Sequence, residues 1–184
     1  MVYGIPFIFE DKKGRLHNTE LRDVEDRLIL RVSPAERRAS DGSLTLKIHE
    51  YGTASSPKAS DGPSIVLEFG PGWQLGSIWF ASRSSSMQMS QWLRLSSGST
   101  KRAAASFTCS DSQVYTWIHK PEHESEAEWA CQCQTSSVAA RYFLKPPSET
   151  YGNSFTVEEA FAPLIPELLA SLIIMRHIQE YLKK

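Results

Sequence analysis

The chain has 184 residues, 41% of them hydrophobic and 22% charged, with a formal net charge of −1. That length most often makes one domain and can bury a sizeable core. The near-zero charge gives no global pull towards nucleic acid or anionic lipid, and the apolar content with five tryptophans excludes a disordered chain.

The opening MVYGIPFIFEDKKG has no basic stretch followed by an apolar run, so no secretory signal is expected. Short β-like runs then alternate with turn signals. Val2–Phe9 is apolar and ends at the charged turn Asp11–Gly14. Arg15–Leu21 and Arg27–Ser33 follow, the second setting Leu28, Leu30 and Val32 against Arg27, Ile29 and Arg31. Such period-two alternation puts one face in and one face out. Ser43–Tyr51 alternates in the same way, with Leu44, Leu46 and Ile48 on one side. Between these runs, 34–42 and the Ser/Gly/Pro-rich 52–63 read as loops.

Ile65–Phe69 reads as a strand closed by Gly70-Pro71-Gly72. Trp73–Arg83 and Met87–Leu95 read as a hairpin, the second arm with Met87, Met89, Gln91 and Leu93 on one side. After the loop 96–102, the runs Ala104–Cys109, Gln113–Lys120, Ala127–Gln134 and Val138–Lys145 complete the series, with Glu122–Glu128 as a solvated hairpin tip. The loops 34–42, 52–63, 96–102 and 121–127 are where specificity for a partner or substrate is expected.

The end of the sequence changes character. Thr156 with Glu159 fits a helix-capping box, and Pro163 and Pro166 then interrupt. Pre-proline Ala162 and Ile165 are expected to leave helical geometry, giving a short turn near 157–162 and a main helix from Pro166 to Lys183. That helix is apolar on all sides, which belongs in a core or a bilayer. Leu164–Met175 is shorter than the roughly twenty residues of a span. A buried core helix is therefore expected rather than a tail anchor, with Ser171 returning its hydroxyl to the preceding turn and His177 marking where the helix meets solvent. About eleven or twelve evenly spaced strands and one apolar helix predict a mainly β fold: a closed antiparallel barrel of about twelve strands around a buried hydrophobic C-terminal helix, residues 1–184 forming one domain.

These features resemble the tubby C-terminal-like superfamily, which includes tubby, the phospholipid scramblases and the LURP-one-related plant proteins. More narrowly, Phe107–Trp117 (FTCSDSQVYTW), Val138–Pro147 (VAARYFLKPP) and Leu168–Tyr181 (LLASLIIMRHIQEY) are similar to an uncharacterised domain family abundant in mushroom-forming fungi. The resemblance covers roughly residues 85–184 and implies the helix-threaded barrel. Tubby-type proteins bind phosphoinositides through a basic surface patch. Here Lys101, Arg102, Lys120, Arg141 and Lys145, with His119, are the residues that would form an anion-binding patch.

No catalytic motif is present: no Gly-x-Ser-x-Gly, no His-Glu-x-x-His and no phosphate loop. Cys131 and Cys133 share a strand face with Trp129, and with His119 nearby they offer three potential metal ligands. Cys-x-Cys without a second pair points instead to packing residues, so no metal and no cofactor is expected. An odd set of three thiols (Cys109, Cys131, Cys133) fits a reduced, cytoplasmic protein. Tyr115, Trp117 and His119 share one face, as aromatic packing against the helix or as a pocket lining. The expected function is a soluble binding module for a lipid headgroup, a small apolar ligand or a protein partner. An alternative is a small fungal metabolic enzyme (an isomerase, cyclase or hydrolase) with a pocket at the barrel end. Nucleic acid is not an expected partner, and no transmembrane segment is expected. A third reading places the helix in a bilayer, as in a scramblase.

Overall fold

The computed structural model describes residues 4–11, 16–35, 40–52, 62–95, 104–123, 126–144 and 153–182. Among the described residues, thirteen strands form one antiparallel sheet. They are β1 (Phe7–Asp11), β2 (Thr19–Asp23), β3 (Leu28–Pro34), β4 (Leu44–Gly52), β5 (Ile65–Phe69), β6 (Leu75–Phe80), β7 (Ser85–Gln88), β8 (Leu93–Leu95), β9 (Ala104–Thr108), β10 (Val114–His123), β11 (Glu126–Cys133), β12 (Val138–Leu144) and β13 (Asn153–Val157). Neighbours in space are neighbours in sequence except at β1, which pairs with β13 in the register Phe7↔Val157 to Asp11↔Asn153.

The alternation seen in the sequence sets which face each strand buries. Leu28, Leu30 and Val32 are buried in β3, and Leu44, Leu46 and Ile48 in β4. Tyr115 and Trp117 of β10 point into the same core, as do Trp129 and Cys131 of β11. Inside lies α2 (Ile165–His177), preceded by a 3₁₀ segment (Glu159–Leu164) and continued by a π-type turn (Ile178–Leu182). Leu168, Leu169, Leu172 and Ile174 are fully buried, so each contributes on the order of 2 kcal/mol of burial. Ser171 donates to the Leu168 carbonyl (2.8 Å), as expected, and also accepts the Trp117 indole N–H (2.8 Å). Glu159–Leu182 is long and apolar enough to cross a membrane, but 78% of its most apolar window is buried within the fold, as in a core helix.

Several expectations need correction. Among the described residues the sheet does not close: its order begins at β7 and ends at β8, and no ladder joins them, so the closed barrel is not borne out. The run Met87–Leu95 is not one strand, because the turn α1 (Met89–Trp92) breaks it and turns Met89 and Trp92 inwards. Thr156 is not a helix cap: it lies in β13 between Ile8 and Arg141, and Glu158 begins the 3₁₀ segment without a side-chain cap. Ile165 takes right-handed helical angles (φ −48°, ψ −48°) despite preceding Pro166, because the 3₁₀ segment runs straight into α2. His177 does not meet solvent and is 6% exposed.

A polar clasp fixes the first strands. Asp23, buried on β2, accepts the Ile8 amide (3.0 Å) and the Arg27 guanidinium (2.7 Å). Arg27 also donates to the carbonyls of Ile5 and Pro6 and lies 3.8 Å over the Phe7 ring. Burial alone would raise the Asp23 carboxyl, but hydrogen bonds from Arg27 and from backbone amides outweigh it and hold the group below its usual range.

Candidate functional site

The residues Ile173, Arg176, His177, Glu180 and Tyr181 recur at helical spacing, so one stripe of the inner helix carries them to one end of the fold. Facing them are Leu44 and Leu46 of β4, Phe69 at the end of β5, and Leu16 and His17 before β2. Together they line a cleft of about 410 Å³. Its floor is apolar and its rim carries a guanidinium, two imidazoles, a carboxylate and a phenol, the composition of a small-ligand site.

The aromatic wall of the cleft is held by the turn after β5. Gly72 takes a positive φ (64°) and Trp73 follows with another (67°), which throws the indole back over the helix end. Trp73 stacks on Tyr181 with centroids 4.0 Å apart and planes 9° from parallel. The Trp73 carbonyl lies 2.7 Å from His177 Nε2, so that nitrogen carries the proton and donates. The His177 ring stacks on Phe69 at 4.1 Å. Arg176 donates from Nη1 to the Tyr142 hydroxyl (3.0 Å) and makes no ion pair with Glu180 one turn on.

A second cleft, of about 340 Å³, opens at the other end of α2. Glu167 there accepts the Ser110 amide (3.0 Å) and Arg83 Nη2 (3.2 Å), and Glu50 accepts the Ser64 hydroxyl (2.7 Å). Both carboxylates are buried and held by hydrogen bonds. Beside Glu167, burial first and then the neighbouring carboxylate push the Cys109 thiol far up, so it is not a nucleophile at neutral pH. Burial pushes Cys131 up as well. Cys133, half-buried at the end of β11, is lowered by a hydrogen bond with Thr135 (2.9 Å).

Of the residues singled out in the sequence, Lys101, Arg102 and Lys145 lie outside the described residues, as does the side chain of Lys120. His119 lies on the core-facing side, its ring 4.6 Å from that of Trp129, and burial lowers its pKa. Arg141 is on the outer face of β12, because its neighbour Tyr142 pairs with Trp129 and faces in. His119 and Arg141 therefore stand on opposite faces of the sheet. Among the described residues, no group of three or more His, Cys, Asp or Glu side chains is arranged to hold a metal.

Of the cleft residues, Phe69, Arg176 and Tyr181 were not singled out from the sequence, and His177 was read only as the point where the helix meets solvent. The available signal was the first polar stripe, 176/177/180/181, in a helix otherwise apolar on all sides. Compared with protein-family models, curated proteins and solved structures, the chain gives no match.

Proposed function

We propose that this chain is a tubby-like binding module, a barrel in effect, which takes a small amphipathic molecule into the cleft at the C-terminal end of α2. The observation that carries this reading is the cleft itself. An apolar floor (Leu44, Leu46, Phe69, Ile173) meets a single arginine whose position is fixed by Tyr142. A volume of about 410 Å³ suits a lipid headgroup with the start of its chain, or a compact apolar ligand. Binding is favoured over catalysis because the titratable groups near the helix are held by structural hydrogen bonds. His177 is held by a carbonyl, and Glu167 by Arg83 and Ser110. A cytoplasmic setting fits the three free thiols.

Native mass spectrometry of protein purified from its own cells tests the reading. A lipid or small molecule carried at near-stoichiometric level, and lost in Ile173→Trp, is the expected result. Protein that is empty, and whose Trp73 fluorescence is unmoved by short-chain phospholipid, defeats it. Turnover of the extracted compound would move the reading to the enzyme alternative.

A further inference from the structure

The sheet has a break, and the break is built in an unusual way. β7 and β8 are its two edge strands, they follow one another in sequence, and only the turn α1 lies between them. Side chains bridge the gap where a ladder would otherwise run. Trp92 sits edge-on to Phe80 of β6 (5.3 Å) and against Phe107 of β9 (5.2 Å), and its indole donates to the Thr108 carbonyl (2.9 Å). The plug is incomplete. Ile78, Phe80, Leu93 and Phe107 are buried on the core-facing side, yet Met87 is only half-buried and Leu95 is 48% exposed.

Over this seam runs an outer groove of about 470 Å³ lined by Met87, Trp92, Phe107 and Val114 with Arg83, Gln91 and Arg94. Among the described residues, no carboxylate lines it. Arg83 already shares its charge with Glu167 (3.2 Å), whereas Arg94 is exposed and makes no ion pair with any described residue. Among the described residues, β7 and β8 are each paired on one side only, and of β8 the Leu93 N–H already donates to the Met89 carbonyl. An unpaired edge beside apolar cups is the geometry that accepts an added strand, with main-chain bonds supplying affinity and alternate side chains supplying selectivity.

We propose that the seam between β7 and β8 is a docking groove for an extended acidic peptide segment of a partner protein. The segment adds to the free edges, seats apolar side chains against Met87 and Trp92, and places carboxylates at Arg94 and Arg83. The positive, carboxylate-free lining selects an acidic strand over a basic one.

The probe is a fluorescein-labelled heptapeptide of alternating Glu and Val, titrated into the whole protein by anisotropy. A peptide with Lys in place of Glu serves as the counterpart. Saturable binding of the acidic peptide, weakened about tenfold or more in Arg94→Glu and less in Arg94→Gln, is expected. Amide exchange in 85–88 and 93–95 should slow when the peptide is bound. Arg94 is exposed, so both variants should keep the parent melting temperature. Three outcomes would overturn the proposal: no binding at about 1 mM peptide, equal binding of the Lys peptide, or binding without protection of β7 and β8. A dimer that forms through the same edges and shuts the acidic peptide out would overturn it too, by making a second copy the occupant.

Discussion

The indole N–H of Trp117 donates to the hydroxyl of Ser171 across 2.8 Å, tying strand β10 to the inner helix at a point where both residues are fully buried. Ser171 in turn donates to the Leu168 carbonyl, so neither polar group is left unpaired in the core. Ser171→Ala leaves a buried donor unmatched and should cost about 1–3 kcal/mol of unfolding free energy. A double-mutant cycle with Trp117→Phe, read by denaturant melts, should show a coupling of more than about 0.5 kcal/mol. Additive losses would mean that the bond does not hold the helix in place.

The helix fills the space the sheet encloses, with Leu168, Leu169, Leu172 and Ile174 fully buried, so removing 167–184 should abolish folding rather than trim a tail. Circular dichroism and gel filtration would show it. A truncated chain that stays soluble and melts cooperatively would sink the central-helix arrangement.

The Asp23–Arg27 clasp makes a signed pH prediction. The folded Asp23 carboxyl lies below its ordinary range, so its contribution is fully present above the unfolded value of about 3.9. It is lost as pH falls through the folded value. Asp23→Ala should cost about 3 kcal/mol near neutrality, because Arg27 and the Ile8 amide lose a buried partner. The gap between parent and variant should narrow as pH falls from the unfolded value through the lower folded one. A gap that is flat across the acid range would show that Asp23 is not the titrating group.

The three thiols should separate cleanly. Cys133 is part-exposed and has the lowered pKa, while Cys109 and Cys131 are buried with raised ones. Iodoacetamide on native protein near pH 8 should modify Cys133 first by peptide mapping, and the other two only in denaturant. Early labelling of Cys109 would place that thiol in contact with solvent and undo the assignment of its site as closed.

Gly76 stands where β6 passes the irregular pairing at Glu68/Phe69, and an added Cβ would run into the Glu68 carbonyl oxygen. Gly76→Ala should cost about 1–3 kcal/mol, measurable as a lowered melting temperature. A neutral result would mean the irregular pairing shifts to make room.

Much of this architecture was legible because burial on one face imposes period two. β3 and β4 fall within a residue of the runs read from alternation, β5 matches the run read before Gly70-Pro71-Gly72, and Ser171 behaves as a helical serine should. β13 was not legible. Its five residues NSFTV are mostly polar, Phe155 and Val157 are the buried ones among its described side chains, and its Thr156 imitates a helix cap. The α1 break was hidden for the opposite reason: Met89 and Leu93 suit alternation and helical spacing equally well, and only the seam decides between them. The cleft escaped notice because it is assembled from the helix end, β4, β5 and a turn, with no local spacing that joins them.

The pairing of Phe7 with Val157 has a kinetic consequence. Strand β1 waits for β13, so the middle of the sheet cannot zip until residues through Val157 are present. Contacts so distant in sequence make folding slow, because loop closure precedes any reward. Until then β1 exposes Phe7 and Phe9 beside an empty slot on a growing chain. During synthesis this is the segment most in need of a chaperone's cover.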